Sequence, residues 1–162
     1  MKLKKQNNKV AIIMGSQSDH PIMKDCEKIL NTLKVKYQVS IVSAHRTPKR
    51  MFDFADKAEK NGFGVIVAGA GGAAHLAGMV ASLTTLPVIG VPIESKKLKG
   101  LDSLLSVNQM PQGVVVATVA IDGAFNAGIL AASIIGNFDE KVKSNLEKWR
   151  RIQTQSIKKR PK

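Results

Sequence analysis

A three-layer α/β sandwich, with a five-stranded parallel sheet at its centre and a helical extension at the C-terminus, is the architecture this sequence predicts. Three observations carry that expectation. Short β-branched runs begin at Val10, Tyr37, Val65, Val88 and Val114. Helical patterns fill the intervals between them. Most of the runs are continuously apolar rather than alternating, as expected of strands covered by helices on both faces. Strands recurring about every 25 residues with helices between them read as repeated strand–helix–strand units. Right-handed crossovers then make the sheet parallel. Composition agrees, because 44% of residues are hydrophobic but only 4% aromatic, leaving Val, Ile, Ala and Gly to build the interior.

The strands are expected over residues 10–14, 37–42, 65–68, 88–91 and 114–121. After the first, Ile22, Cys26, Ile29, Leu30 and Leu33 form one helical face. That helix begins near Pro21, with Ser18 or Asp19 as its cap. After the second, Thr47-Pro48 reads as the cap and first position of a helix over 48–60. Charges there alternate around a thin stripe of Met51, Phe54, Ala55 and Ala58. Residues 73–83 and 124–135 are apolar nearly all round, the second broken mainly by Asn126, Gly128 and Ser133. A helix without a polar face needs cover on every side, so subunit contacts are expected over both. Burial inside one monomer accounts for one such helix more easily than for two. Beyond Asn137, Val142, Leu146, Trp149 and Ile152 share one face of an amphipathic helix, which could dock on its own domain or on a neighbour. The resulting organisation is a basic tail (1–9), a flavodoxin-like α/β domain (10–137), a C-terminal helix (138–157) and a second basic tail (158–162).

Composition narrows the function. At 162 residues one domain fits and two do not. A single cysteine, Cys26, forms no internal disulfide and fits a reducing cytoplasm. It lies on the apolar helix face, where a thiol serves as core. The first residues lack the apolar stretch of a signal peptide, and no apolar run approaches the ~20 residues of a membrane span, so a cytoplasmic protein is expected. The net charge is +13, but four lysines in residues 1–9 and seven basic residues in 148–162 leave only +2 for 10–147. No run of exposed aromatic residues interleaves with Lys and Arg, as a single-strand-binding surface requires. Specific nucleic-acid binding is not expected.

The chemistry gathers where strands end. The first strand leads into Gly15-Ser16-Gln17-Ser18-Asp19, the second into Ser43-Ala44-His45-Arg46, and the third into Gly69-Ala70-Gly71-Gly72-Ala73-Ala74-His75. Carboxyl ends of strands in an open parallel sheet form its ligand crevice. Arg46 offers a permanent planar cation for phosphate or carboxylate, and His45 a proton donor or acceptor near neutral pH. Each group has a plainer role open to it. Ser18 or Asp19 can simply cap a helix, Gly71-Gly72 can simply turn, His75 can be structural, and His20 is expected to face solvent. Their coincidence on one sheet edge favours a site. The glycines lack dinucleotide-fingerprint spacing and no P-loop lysine follows them. No Cys/His cluster has metal-site spacing.

Residues 10–19, 42–48 and 68–76, which carry these groups, resemble the bacterial class I N-carboxyaminoimidazole ribonucleotide mutase family of purine biosynthesis. Gly90-Val91-Pro92, Asp102-Ser103-Leu104-Leu105-Ser106 and Gln109-Met110-Pro111 extend the likeness to most of residues 10–153. The resemblance implies a flavodoxin-like domain assembled as a homo-octamer, acting without metal or organic cofactor. It also implies a functional link to the enzyme that makes the carbamate substrate. It makes Ser16, Ser18, Asp19, Ser43 and Arg46 contacts to the ribose phosphate. His45 becomes the proton-transfer residue, and Gly71, Gly72 and His75 line the pocket for base and carboxylate. Ala77, where many members have proline, and a short 121–127 segment depart from the pattern. Two rivals remain. One is the carbon dioxide-dependent carboxylase of the animal type, whose pattern implies lysine rather than Arg46 after the histidine. The other is a non-catalytic nucleotide- or RNA-binding module that uses the tails.

Overall fold

The computed structural model describes residues 7–160. The parts of the basic tails expected at 1–6 and 161–162 lie outside the described residues. Five parallel strands form one sheet: β1 (Lys9–Met14), β2 (Tyr37–Ile41), β3 (Phe63–Gly71), β4 (Val88–Ile93) and β5 (Ala117–Thr118), in the order β2-β1-β3-β4-β5. The helices are α1 (His20–Thr32), α2 (Pro48–Lys57), α3 (Leu76–Ala81), α4 (Leu101–Asn108), α5 (Ala124–Gly136) and α6 (Glu140–Ser156). Ile12 in β1 pairs with Val39 in β2 and Val67 in β3, so both of its ladders are filled. That burial explains why the central runs carry no alternation.

Two cores result, one on each face of the sheet. Val10, Ile12, Val65, Val67, Ile89 and Val91 pack beneath α1, α5 and α6. Ala11, Ile13, Ile66, Ala68 and Val88 face the opposite way, under α2, α3 and α4. Ligands therefore find their opening at the ends of the strands, since both faces are occupied.

Several boundaries differ from expectation, each for a local reason. The fifth strand shrinks from 114–121 to Ala117–Thr118. It is the sheet edge, and Val115 is mostly exposed. The Gly90 and Pro92 carbonyls accept from Val119 and Asp122, but Pro92 has no N–H to return on that side. Helix α3 starts only at Leu76, because Gly72 to His75 forms two tight turns in which the Gly72 carbonyl accepts from Ala74 and that of Ala73 from His75. Helix α2 ends at Lys57 rather than Lys60, and the chain reverses through Gly62 at φ +83. Helix α4 has no counterpart among the expected elements, and its eight residues show little apolar periodicity. His20 is not free in solvent: its Nε2 lies 2.9 Å from Glu27 Oε1, two helical turns away.

The apolar helix α5 finds most of its cover within the chain. Gly128 sits against Cys26 and Ile29 of α1, too close for any side chain. Ala124, Ala127, Ala131, Ala132 and Ile135 are fully buried, leaving Phe125 and Leu130 partly exposed. Helix α6 docks on its own domain. Val142 and Leu146 join the first core, Trp149 meets Phe125 with ring centroids 6.1 Å apart, and Asn145 donates to the Leu33 carbonyl. Asp139 caps α6 by accepting from the Lys141 and Val142 amides at 3.0 and 3.3 Å. The Val142 amide bond is the main reason its carboxyl titrates below the usual value. Cys26 is core, as expected: burial first, and then the Glu27 charge, push its thiol up to about 12. Among the described residues, no helix is long and apolar enough to cross a membrane.

Candidate active site

Four strands deliver their carboxyl ends to one cleft of about 490 Å³. Beyond β1 the chain makes a short 3-10 turn, Gln17–Asp19. Asp19 Oδ2 accepts from the Ser16 amide at 2.9 Å, and the Ser16 and Ser18 hydroxyls bond to each other. Asp19 thus closes this turn and makes no side-chain cap bond to α1, although it stands at the cap position. The turn presents Ser16, Ser18 and Asp19 to the cleft.

Beyond β2, Thr47 locks the next loop. Its hydroxyl accepts from the Ser43 amide and donates to the Ser43 carbonyl, both at 3.0 Å. Ser43 is buried, and its Oγ accepts from the Arg46 amide at 3.2 Å and from Arg46 Nε at 3.4 Å. Arg46 Nη2 donates to the Gly15 carbonyl at 3.0 Å, which fixes the guanidinium across the end of β1. The neighbouring His45 reaches one strand further, past β1 to the turn after β3. Its Nε2 is 2.9 Å from His75 Nδ1, with the rings at 89°. One ring donates to the other, so the position of that proton couples both imidazoles. Both histidines and Arg46 remain open to solvent.

The third wall is the turn after β3. Gly72 has φ +69, which favours a residue without Cβ, and it lines the cleft with Gly71 and His75. All the residues expected at a site thus border one cavity: Ser16, Ser18, Asp19, Ser43, His45, Arg46, Gly71, Gly72 and His75. Glu94, Ser95 and Lys96, just beyond β4, border it too and were not anticipated. The strand-end rule applied to the fourth strand would have found them, since residues 94–96 directly follow its apolar run. Also unforeseen is Ser103 on α4, behind the wall. Among the described residues, no group of three or more His, Cys, Asp or Glu side chains is placed to hold a metal ion.

A parallel sheet ordered β2-β1-β3-β4-β5, with a polar cleft over the ends of four strands, defines a flavodoxin-like protein of the small-ligand-binding kind. Comparison with known proteins narrows the class. The chain belongs to the AIR carboxylase family, whose model matches residues 9–156. It is 52% identical over 160 residues to the N5-carboxyaminoimidazole ribonucleotide mutase of Pyrococcus horikoshii, covering 99% of this chain and 90% of that one. It is 59% identical over 147 residues to the Thermotoga maritima protein of the same name, covering 88% and 86%. Among solved structures, Treponema denticola PurE superposes with a TM-score of 0.84 at 27% identity, over 92% of this chain and 93% of that one.

Proposed function

We propose that this protein is a mutase converting N-carboxyaminoimidazole ribonucleotide to 4-carboxy-5-aminoimidazole ribonucleotide in purine biosynthesis. The names of its relatives support the reaction. The observation that carries the assignment to this cleft is the divergence of His45 and Arg46. Adjacent in sequence, they take different partners in one cavity, Arg46 the Gly15 carbonyl at the end of β1 and His45 the ring of His75 beyond β3. They so set a proton-transfer group apart from an anion-binding one.

In this reading Arg46, Ser16, Ser18, Asp19 and Ser43 hold the ribose phosphate, and binding energy far from the reacting atoms positions the base. The carbamate C–N bond breaks, its electron pair stays on nitrogen, and carbon dioxide is released as that nitrogen takes a proton. The ring carbon then attacks the trapped carbon dioxide and afterwards loses its own proton, restoring aromaticity. One proton is given and one recovered, so His45 serves as acid and then as base without net change. Gly71, Gly72 and His75 enclose the base and the carboxylate. Substrate seated over the cleft keeps carbon dioxide beside the ring and raises its effective concentration.

The proposal extends to a homo-octamer in the cytoplasm, supplied by the enzyme that forms the carbamate. The test is ultraviolet detection of the carboxylated aminoimidazole from purified protein, alongside its mass in solution. Turnover of the carbamate at concentrations where bicarbonate plus aminoimidazole ribonucleotide gives none is the expected result. Preference for the latter pair would make the protein a carboxylase.

A further inference from the structure

The Asp102-Ser103-Leu104-Leu105-Ser106 segment has no place in the chemistry above, yet it opens α4 directly behind the cleft. Ser103 has none of its surface exposed. Its hydroxyl donates to the Ile93 carbonyl at 2.6 Å and accepts from the Gly72 amide at 2.8 Å. Those two backbone groups belong to different walls: Gly72 to the turn after β3, Ile93 to the end of β4. One turn further along α4, the Ser106 hydroxyl donates to the Asp102 carbonyl at 2.7 Å and reaches the Gly72 carbonyl at 3.4 Å. Asp102 grips the β4 side as well, accepting from the Ser95 hydroxyl at 2.7 Å and from the Ser103 amide at 2.9 Å. Ser95 in turn accepts from the Leu98 and Gly100 amides, closing the loop that carries Glu94 to Lys96 along the cleft.

We propose that Ser103 is a positioning residue for the proposed mutase reaction. Its single buried hydroxyl fixes the Gly72 peptide against the β4 wall and so sets the cavity that retains carbon dioxide. The inference rests on the functional reading above for its chemical consequence, but not for its geometry. Gly72 is in the left-handed region, where no side chain of its own restrains it, so its peptide orientation depends on the bonds made to it. Removing the hydroxyl frees both the Gly72 N–H and the Ile93 carbonyl in a buried place, and the turn must move to satisfy them. A shift of about 1 Å at a reacting site lowers rate by roughly 10²-fold. Phosphate binding on the far wall is untouched.

The experiment compares wild-type protein with Ser103→Ala, and with the near-isosteric Ser103→Cys should the alanine variant fold poorly. Hydrogen exchange is followed by mass spectrometry over residues 69–75, 93–96 and 10–14. Faster exchange in the first two segments with 10–14 unchanged is expected. Unchanged exchange, or a rise alike in all three, overturns the positioning role. With the carbamate as substrate, kcat is expected to fall at least tenfold while KM stays within threefold. The share of free aminoimidazole ribonucleotide over carboxylated product should also rise, because a loosened cavity leaks carbon dioxide. Once carbamate decay measured without enzyme is subtracted, a loss of active molecules alone cannot change that share, so an unchanged share also overturns the role. Wild-type protein that turns over no carbamate would refute the functional reading, while the exchange comparison still decides the geometry.

Discussion

On one face of the sheet, α1, α5 and α6 bury alanine, isoleucine and leucine against Val10, Ile12 and Val67, and no polar side chain among the described residues is fully enclosed there. The other side, with the loops leading into α2, α3 and α4, holds both buried polar side chains among the described residues, Ser43 and Ser103. Ser43 steadies Arg46, and Ser103 ties Gly72 to Ile93. The first side gains stability from close contact, with Gly128 letting α5 approach α1. The second side also uses buried hydrogen bonds, which fix direction where apolar packing only fixes distance. Its helices are shorter, six residues in α3 and eight in α4, because part of each crossover forms the cleft. Stability and geometry thus have different custodians on the two sides of one sheet.

Substitutions chosen on the two sides should therefore fail in different assays. The largest effect belongs to His45→Asn, expected to lower turnover by ~10²–10⁴-fold, the usual worth of general acid–base catalysis, with the melting temperature unchanged. Retained turnover would remove His45 from the mechanism. Next is Arg46→Ala, which removes a charged partner worth about 1.5–3 kcal/mol. A KM raised roughly 10- to 100-fold with a smaller change in kcat is expected, and an effect on kcat alone would break the phosphate assignment.

On the packed side, Gly128→Val is predicted to cost about 2 kcal/mol by overpacking, since a Cβ there meets Ile29 and lies 3.2 Å from the Cys26 carbonyl. Denaturant unfolding measures this, and the refolded protein should keep its KM. A shifted KM would show that the two sides are not separable. The smallest effect is at Asp139→Ala, about 1 kcal/mol for a lost helix cap. The Asp139 pKa lies below its ordinary 3.8 in the folded protein. Its cap therefore contributes fully above that pH and fades as the pH falls through the lowered value. Wild type and variant should converge in stability in acid, and a gap that persists there would assign the effect to packing.

Particular residues show how far the sequence could be read. The continuous runs at 10–14 and 65–68 announced buried strands because a strand covered on both faces has no polar alternation to confuse it. Thr47-Pro48 marked the start of α2 correctly, since proline suits the first turn of a helix, although the Thr47 hydroxyl bonds back to Ser43 and makes no cap bond. The edge strand was overestimated because 114–121 has the β-branched composition of a strand, while pairing depends on a distant Pro92. Helix α4 was invisible for a similar reason: only Ser103 and Val107 are fully buried, and Ser103 looks polar in a list of residues. Glu94, Ser95 and Lys96 carry no unusual residue type, so only their place at the end of the fourth strand points to them.

By itself, the sequence determined the α/β class, the sites of His45, Arg46 and Gly72 at strand ends, and the family likeness that names a substrate. These are properties of local periodicity, helix-start signals and motif, each readable within a dozen residues. Only the tertiary structure decided that His45 meets His75 while Arg46 meets Gly15, that α6 covers its own domain, and that Ser103 stands behind the cleft. Those contacts join residues some 30 or more positions apart. Chain order does not encode them, because they exist only once the crossovers have brought separate strand ends side by side.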